Sequence, residues 1–205
     1  MDTADIFTIP SGSSEIYDKI IKNYLDERIL ILNEEVSDCV FEYICLSILK
    51  WNIEDRGLPV KNRKRGKLFI STNGGDAIIG DQILSSITTS ITPIDTIGFG
   101  KCLSMGSYIL AAGAKRYCFP NTIVLYHDGE SGYVTSANKG RDIQKFYDEL
   151  NKRETKFLVD HSKMTQEYLE EIKDREYYMF AEEAKENGIV DSIIGIDCTL
   201  DDILN

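Results

Sequence analysis

Short apolar runs alternate along this chain with longer segments whose apolar residues recur at helical spacing. The runs at 28–32, 68–70, 94–99 and 122–126 are predicted strands, and each ends in a polar or glycine-bearing turn. Helices are predicted to start after Ser37, to cover residues 77–89, and to start again after Ser104. Strand, turn and helix repeated in this order are typical of an α/β layered fold with mainly parallel strands.

The two ends of the chain are organised differently. Residues 1–27 are polar and mixed, and we expect a loose arm that ends in a short helix near 16–25. A single α/β domain is predicted over 28–205, and within it residues 138–160 form one long amphipathic helix that we expect to project. The apolar stripe of this helix consists of Ile143, Phe146, Tyr147, Leu150, Phe157 and Leu158.

The charge of the chain bears on its partners. The sequence has 34 acidic and 23 basic residues, which gives a formal net charge of −11 at pH 7. Binding to phosphate backbones relies on Lys and Arg, so this composition argues against nucleic acid as the main partner. Lys61, Arg63, Lys64, Arg65 and Lys67 form a basic island on this acidic chain. The island is interpreted either as a solvated loop or as a contact surface for an acidic partner or a neighbouring subunit.

Composition also points to a compartment. No apolar run reaches the roughly 18 to 20 residues that a membrane span requires, and residues 1–5 are acidic where a secretory signal is basic. The five cysteines are scattered without a CxxC pair or a histidine cluster, so neither a disulfide framework nor a metal site is indicated. We expect buried, reduced thiols in a cytoplasmic protein.

Candidate chemistry lies at the carboxyl ends of the predicted strands. Ser104 starts a helix between Gly100 and Gly106, and His127 ends the next strand, 23 residues later. This interval suits two residues at the same end of adjacent strands, where a histidine can deprotonate a serine. The spacing alone also fits a capping serine and an unrelated hydrogen-bonded histidine.

Several motifs in order carry a resemblance to a known family. The chain resembles the proteolytic subunit of the Clp protease over about residues 28–194. The motifs are Asn73-Gly74-Gly75, Leu103-Ser104-Met105-Gly106, Ala111-Ala112-Gly113, Phe119-Pro120-Asn121, Tyr126-His127, Asp174-Arg175-Glu176, Ala181-Glu182-Glu183-Ala184 and Gly188-Ile189-Val190-Asp191.

The resemblance implies a serine peptidase site without a metal or organic cofactor. Ser104 matches the family's nucleophile and His127 its general base. Gly75 and Met105 match the positions whose N–H groups form the oxyanion hole. Glu176 stands where the family has the triad aspartate, and Asp174 is the competing candidate.

The resemblance also implies an assembly. Family members are similar in fold to the crotonase superfamily and form two stacked seven-membered rings, with the long helix between the rings. An unfolding ATPase of the AAA+ class feeds polypeptides into them. By this resemblance we expect a homo-oligomer that hydrolyses unfolded proteins.

Departures from the family pattern leave alternatives open. Asp128-Gly129 replaces the Gln-Pro that follows the family's histidine, and Asp76 lies next to the implied oxyanion hole, where an inward carboxylate would oppose catalysis. The alternatives are a phage head-maturation protease of the same fold and an inactive ring-forming structural subunit. An acyl-CoA enzyme of the crotonase type is a further alternative, although its chemistry does not require the Ser and His pair.

Overall fold

A computed structural model describes residues 14–129, 132 and 134–205 of the chain. Its helices are α1 (Ser14–Asp26), α2 (Asp38–Glu54), α3 (Ala77–Thr88), α4 (Met105–Ala111), α5 (Ala137–His161), α6 (Gln166–Glu171), α7 (Ala181–Glu186) and α8 (Leu200–Leu204), with a 3₁₀ turn at Val60–Asn62. Its strands are β1 (Ile29–Leu32), β2 (Gly66–Thr72), β3 (Ile94–Leu103), β4 (Arg116–Cys118), β5 (Ile123–Tyr126), β6 (Tyr177–Phe180) and β7 (Ser192–Ile193). The arm predicted before α1 lies outside the described residues.

The strands form one sheet in the order β1-β2-β3-β4-β7, and β5 pairs with both β3 and β6. Every pairing is parallel except that between β5 and β6. The predicted α/β fold with a mainly parallel sheet is therefore confirmed. The strands β4, β6 and β7 were not predicted; β4 and β7 have only three and two residues, which carry little periodicity of their own.

Strand β3 is longer than predicted and forks the sheet. Its first half, at Thr96 to Gly98, pairs with β4, and its second half, at Lys101 to Leu103, pairs with β5. This fork separates β4 from β5 and leaves the carboxyl ends of β3 and β5 side by side.

The core lies between the sheet and helices α2, α3 and α4. Helix α2 buries Val40, Ile44, Ile48 and Trp51, which recur at helical spacing on one face. All seven residues of α4 are buried, because this short helix lies inside the molecule behind the sheet edge. This close packing holds the first turn of α4 in a fixed position.

Helix α5 matches the predicted long helix to within one residue at each end. Its side chains are largely exposed, and only Leu150, Glu154 and Leu158 are buried. No helix within the described parts of the chain is long and apolar enough to cross a membrane.

The basic island is tied to the protein itself. Arg65 forms a bidentate ion pair with Asp95, and Lys64 Nζ lies 2.5 Å from Glu27 Oε2. Lys67 is buried, and its ammonium donates to the carbonyl oxygen of Leu204 at 3.2 Å. Arg65 and Lys67 are therefore engaged within the chain, whereas Lys61 and Lys64 remain exposed.

Two of the five thiols match the expected burial. Cys102 and Cys118 are fully buried, whereas Cys39 is exposed. The expectation of buried thiols is wrong for Cys39, which lies in the first turn of α2 on its solvent side.

Candidate active site

The strand register brings three separated residues to one edge of the sheet. Leu103 is paired with Leu125, so Ser104 and His127 follow neighbouring parallel strands at the same end. Tyr126 is paired with Tyr177 in the antiparallel β5–β6 pair, so Glu176 precedes β6 beside His127. Sheet pairing alone therefore places the three side chains in a row.

These three side chains form a hydrogen-bonded chain. Ser104 Oγ lies 2.7 Å from His127 Nε2, and His127 Nδ1 lies 3.0 Å from Glu176 Oε1. When Nδ1 carries the proton and donates a hydrogen bond to Glu176, Nε2 is free to accept a hydrogen bond from the serine hydroxyl. The hydrogen bond of His127 is made by Glu176, not by the competing candidate Asp174.

The other histidine has a different setting. His161 Nδ1 lies 2.9 Å from the carbonyl oxygen of Phe157, and its ring stacks on that residue with centroids 4.1 Å apart. His161 is the last residue of α5, and its contacts are with Phe157 of the same helix.

Ser104 lies in a strained turn between β3 and α4. Its φ of 53° is in the left-handed region, which non-glycine residues rarely adopt. A hydrogen bond from its N–H to Leu125 O at 3.0 Å and one from Ser107 N–H to its carbonyl at 2.9 Å hold it there. This sharp strand-to-helix turn exposes the hydroxyl at the sheet edge.

Glycines let the neighbouring loop approach this turn. A Cβ on Gly74 would lie 2.7 Å from Ser104 Cβ and 2.7 Å from Leu103 O. A Cβ on Gly80 of α3 would overlap the Met105 side chain, so α3 and α4 are locked together at the site. Both contacts require the absence of a side chain.

Two backbone amides belong to residues of the cleft that contains the Ser104 hydroxyl. Val36 N–H donates to Gly74 O at 2.8 Å, and Asp76 N–H donates to Val36 O at 3.0 Å, so the intervening Gly75 directs its own N–H away from Val36. Met105 is the first residue of α4, whose amide has no acceptor within the helix. Gly75, Met105 and Ser104 line the same cleft. Such amides can stabilise a developing oxyanion.

The two unexpected aspartates are both at the cleft. Asp76 Oδ1 accepts a hydrogen bond from Ile79 N–H at 2.9 Å and caps α3. This contact turns the carboxylate toward the helix, which lessens its opposition to an oxyanion. Asp128 lines the cleft next to His127.

Comparison with known proteins shows to which family this chain belongs. The Clp protease family profile matches residues 12–197. The chain belongs to the Clp protease family. It is also similar to the ATP-dependent Clp protease proteolytic subunit 2 of Corynebacterium efficiens, at 31% identity over 186 residues that cover 89% of this chain and 87% of that protein. The resemblance predicted from the motifs is confirmed, and the chain is a Clp-type proteolytic subunit.

In this Clp family member, the sequence analysis did not predict that Glu154 of α5 lines the cleft. The cleft has a volume of about 690 Å³ and extends from Ser104 to Glu154 of α5. Glu154 is 9% exposed, and its Oε1 is buried without a hydrogen-bond partner among the described residues. Burial, helped by the nearby charge of Asp81, raises the pKa of Glu154 to about 7. The signal was present in the sequence, because Glu154 lies four residues from both Leu150 and Leu158 on the apolar stripe.

Proposed function

We propose that this chain is a self-compartmentalised serine endopeptidase in which Ser104, His127 and Glu176 form the catalytic triad. The observation that carries the proposal is the continuous hydrogen-bonded chain from Ser104 Oγ through the imidazole to Glu176. The order nucleophile, base and orienting carboxylate defines a triad by geometry and role rather than by sequence.

The chemistry follows from these positions. Ser104 Oγ attacks the peptide carbonyl carbon while His127 Nε2 takes the hydroxyl proton. The N–H groups of Gly75 and Met105 stabilise the negative oxygen of the tetrahedral intermediate. His127 then gives its proton to the leaving amine, and an acyl group remains on Ser104. A water molecule, deprotonated by His127, releases the acid and restores the serine.

Glu176 keeps the imidazole in the required tautomer throughout this cycle. Its carboxylate accepts a hydrogen bond from the Nδ1–H group and stabilises the imidazolium that forms in each step, without taking the proton itself. The carboxylate is more than half exposed, so it acts through orientation and proximity rather than in a dry site.

We further propose that the substrates are unfolded polypeptides and that the chain acts in the cytoplasm in stacked seven-membered rings with an ATP-dependent unfoldase. The name of the Corynebacterium relative describes an ATP-dependent protease subunit. Leu46, Leu49 and Ile53 form an exposed apolar stripe along α2, each more than half exposed in the single chain. Such a stripe supports burial against another subunit.

Labelling with a fluorophosphonate tests the catalytic proposal. We expect the protein to be labelled and to hydrolyse a fluorogenic peptide, and Ser104→Ala to lose both properties. Ser85→Ala is the matched control, because Ser85 is an exposed serine on α3 that bonds to its own helix. Labelling that survives in Ser104→Ala would refute the assigned nucleophile. An unmodified protein that is neither labelled nor active would favour the inactive structural subunit.

A further inference from the structure

The cleft that contains Ser104 is unusually acidic. Its lining includes the carboxyl side chains of Glu35, Asp76, Asp128 and Glu154. Among the described residues of this lining there is no Lys or Arg. A cleft with one sign of charge concentrates ligands of the opposite sign. The cleft is therefore suited to a cationic group of the substrate.

Among these carboxyl groups, Glu154 is the one whose loss of water on burial is least offset by hydrogen bonds. Asp76 is occupied as the cap of α3, whereas Glu154 Oε1 is buried without a hydrogen-bond partner among the described residues. A buried carboxylate without a partner is strongly disfavoured, because it loses water and gains nothing in return. A ligand that donates a hydrogen bond to Glu154 would supply the missing partner.

The groups that face Glu154 do not neutralise it. Asp81 on α3 carries a like charge that disfavours its ionisation. Tyr108 on α4 and Tyr126 on β5 are buried hydroxyls, and burial, together with nearby charges that include Glu154, raises the pKa of both. Arg153, the preceding residue on α5, places its Nε 3.7 Å from Glu149 Oε1, and both of these side chains are largely exposed.

The walls between Ser104 and Glu154 suit a long side chain with a polar tip. Tyr108 and Leu150 are buried, and Tyr147 is half-buried, along the same cleft. Arg and Lys bury their methylene stems on apolar surface and keep the charged head for a partner. A guanidinium would also satisfy a carboxylate with two parallel hydrogen bonds.

We propose that Glu154 is a specificity-determining residue, which binds the cation of an arginine or lysine whose carbonyl Ser104 attacks. This inference rests on the proposed peptidase function and names its substrate class. Ion pairing with the substrate compensates the buried carboxylate, and a neutral side chain of the same shape leaves it unpaired. The preference strengthens as Glu154 ionises, so it rises with pH through about 7.

The test compares two peptides that differ only in the residue before the scissile bond, arginine in one and its neutral isostere citrulline in the other. Binding is measured by fluorescence anisotropy on the Ser104→Ala background, so that it is independent of catalysis. Cleavage is measured as kcat/KM with the intact serine. We expect arginine to be preferred by about 10- to 100-fold in both assays, the range of a charge-assisted hydrogen bond.

Two variants assign the preference to one side chain. Glu154→Gln keeps the shape but removes the charge, and it should bring the arginine to citrulline ratio close to one at every pH. Glu149→Gln removes a carboxylate from the same helix outside this cleft and should keep the ratio and its rise with pH. Because both peptides use the same catalytic groups, the pH dependence of the chemical steps cancels in the ratio.

The outcomes separate this inference from the proposed function. A labelled and active protein with no arginine preference would overturn the role of Glu154 and leave the peptidase standing. An arginine preference that persists in Glu154→Gln would also overturn it. A Glu154-dependent preference in binding, without any fluorophosphonate labelling, would support the cation site and contradict the peptidase.

Discussion

Glu176 reaches His127 across the only antiparallel pairing among the described strands, with Oε1 3.0 Å from Nδ1. The pairing of Tyr126 with Tyr177 places the two residues beside each other just beyond the strands. Asp174 lies two residues further from β6 and has a φ of 60°, so the chain turns between it and the strand. The longer carboxylate nearest the strand is therefore the one in contact.

Glu176→Gln should lower kcat by as much as about 10⁴-fold, the scale observed when a triad carboxylate is neutralised. The amide can donate to Nδ1 and hold the imidazole in the wrong tautomer. Steady-state hydrolysis of a fluorogenic peptide measures the loss. Asp174→Asn is the control and should retain near-normal turnover; a larger loss in this variant would transfer the role to Asp174.

Gly75→Ala should impair both folding and turnover. At a φ of 147°, a Cβ on Gly75 would lie 2.5 Å from Val36 O and 2.7 Å from Val36 N, so the loop carrying the amide must move. Overpacking costs about 1 to 3 kcal/mol, and loss of an oxyanion donor costs about 10² to 10³ in kcat.

The control for this variant is Gly195→Ala. Gly195 also has a positive φ, of 85°, but a Cβ there would meet nothing within 4 Å. This variant should lose about 1 to 2 kcal/mol from backbone strain and keep its kcat. Denaturant melts and kcat values of both variants test the comparison; equal effects on kcat would contradict it.

Asp55→Ala should destabilise the fold by about 3 to 5 kcal/mol, because it leaves the buried Arg28 without its main partner. Arg28 donates two hydrogen bonds to Asp55, at 2.8 and 3.0 Å, and Thr92 donates a third at 2.6 Å. The hydrogen bond from Arg28 lowers the pKa of Asp55.

Lys50→Ala is the matched control for this ion pair. Lys50 pairs with Glu54 on the surface of α2, where both side chains are substantially exposed. Urea unfolding should show a loss of no more than about 1 kcal/mol for this variant. A loss comparable to that of Asp55→Ala would mean that burial does not set the difference.

Glu154 should make stability depend on pH between about 4.5 and 7. Its pKa is raised in the folded state, so folding binds an extra proton in this interval and the free energy of unfolding falls as pH rises. The loss should reach about 3 kcal/mol relative to Glu154→Gln by pH 8 and vanish below about pH 4.5. Urea unfolding across this pH range measures it. A Glu149→Gln curve should follow that of the unmodified protein. If the free energy of unfolding differed between the unmodified protein and Glu154→Gln by the same amount at every pH, the prediction would be contradicted.

Leu49→Lys should weaken self-association. Leu49 is 54% exposed at the centre of the apolar stripe on α2, and a buried ammonium at a subunit contact is costly. Sedimentation velocity should show the unmodified protein well above the 23.2 kDa monomer and Leu49→Lys shifted toward it. Leu49→Met keeps the surface apolar and should assemble normally. Unmodified protein that sediments as a monomer would contradict the proposed rings.

The sequence by itself determined the class of the fold and the first two residues of the candidate site. Buried strands such as β1 and β2, and helices such as α2 and α5, follow from local apolar periodicity, which needs no knowledge of distant residues. Ser104 was predicted because it starts a helix in the glycine-bearing turn after the third predicted strand, and His127 because it ends the next strand. Family motifs then singled out Gly75 and Met105.

Only the tertiary structure decided which distant groups meet. Glu176 was preferred to Asp174 by the β5–β6 register, a pairing between segments about 50 residues apart that no local pattern specifies. Two members of the basic island, Arg65 and Lys67, are tied to the protein because they find partners on β3 and in the C-terminal helix. Glu154 entered the cleft because α5 packs against α4 with its apolar stripe, and burial of a side chain is a property of that packing rather than of the sequence around it.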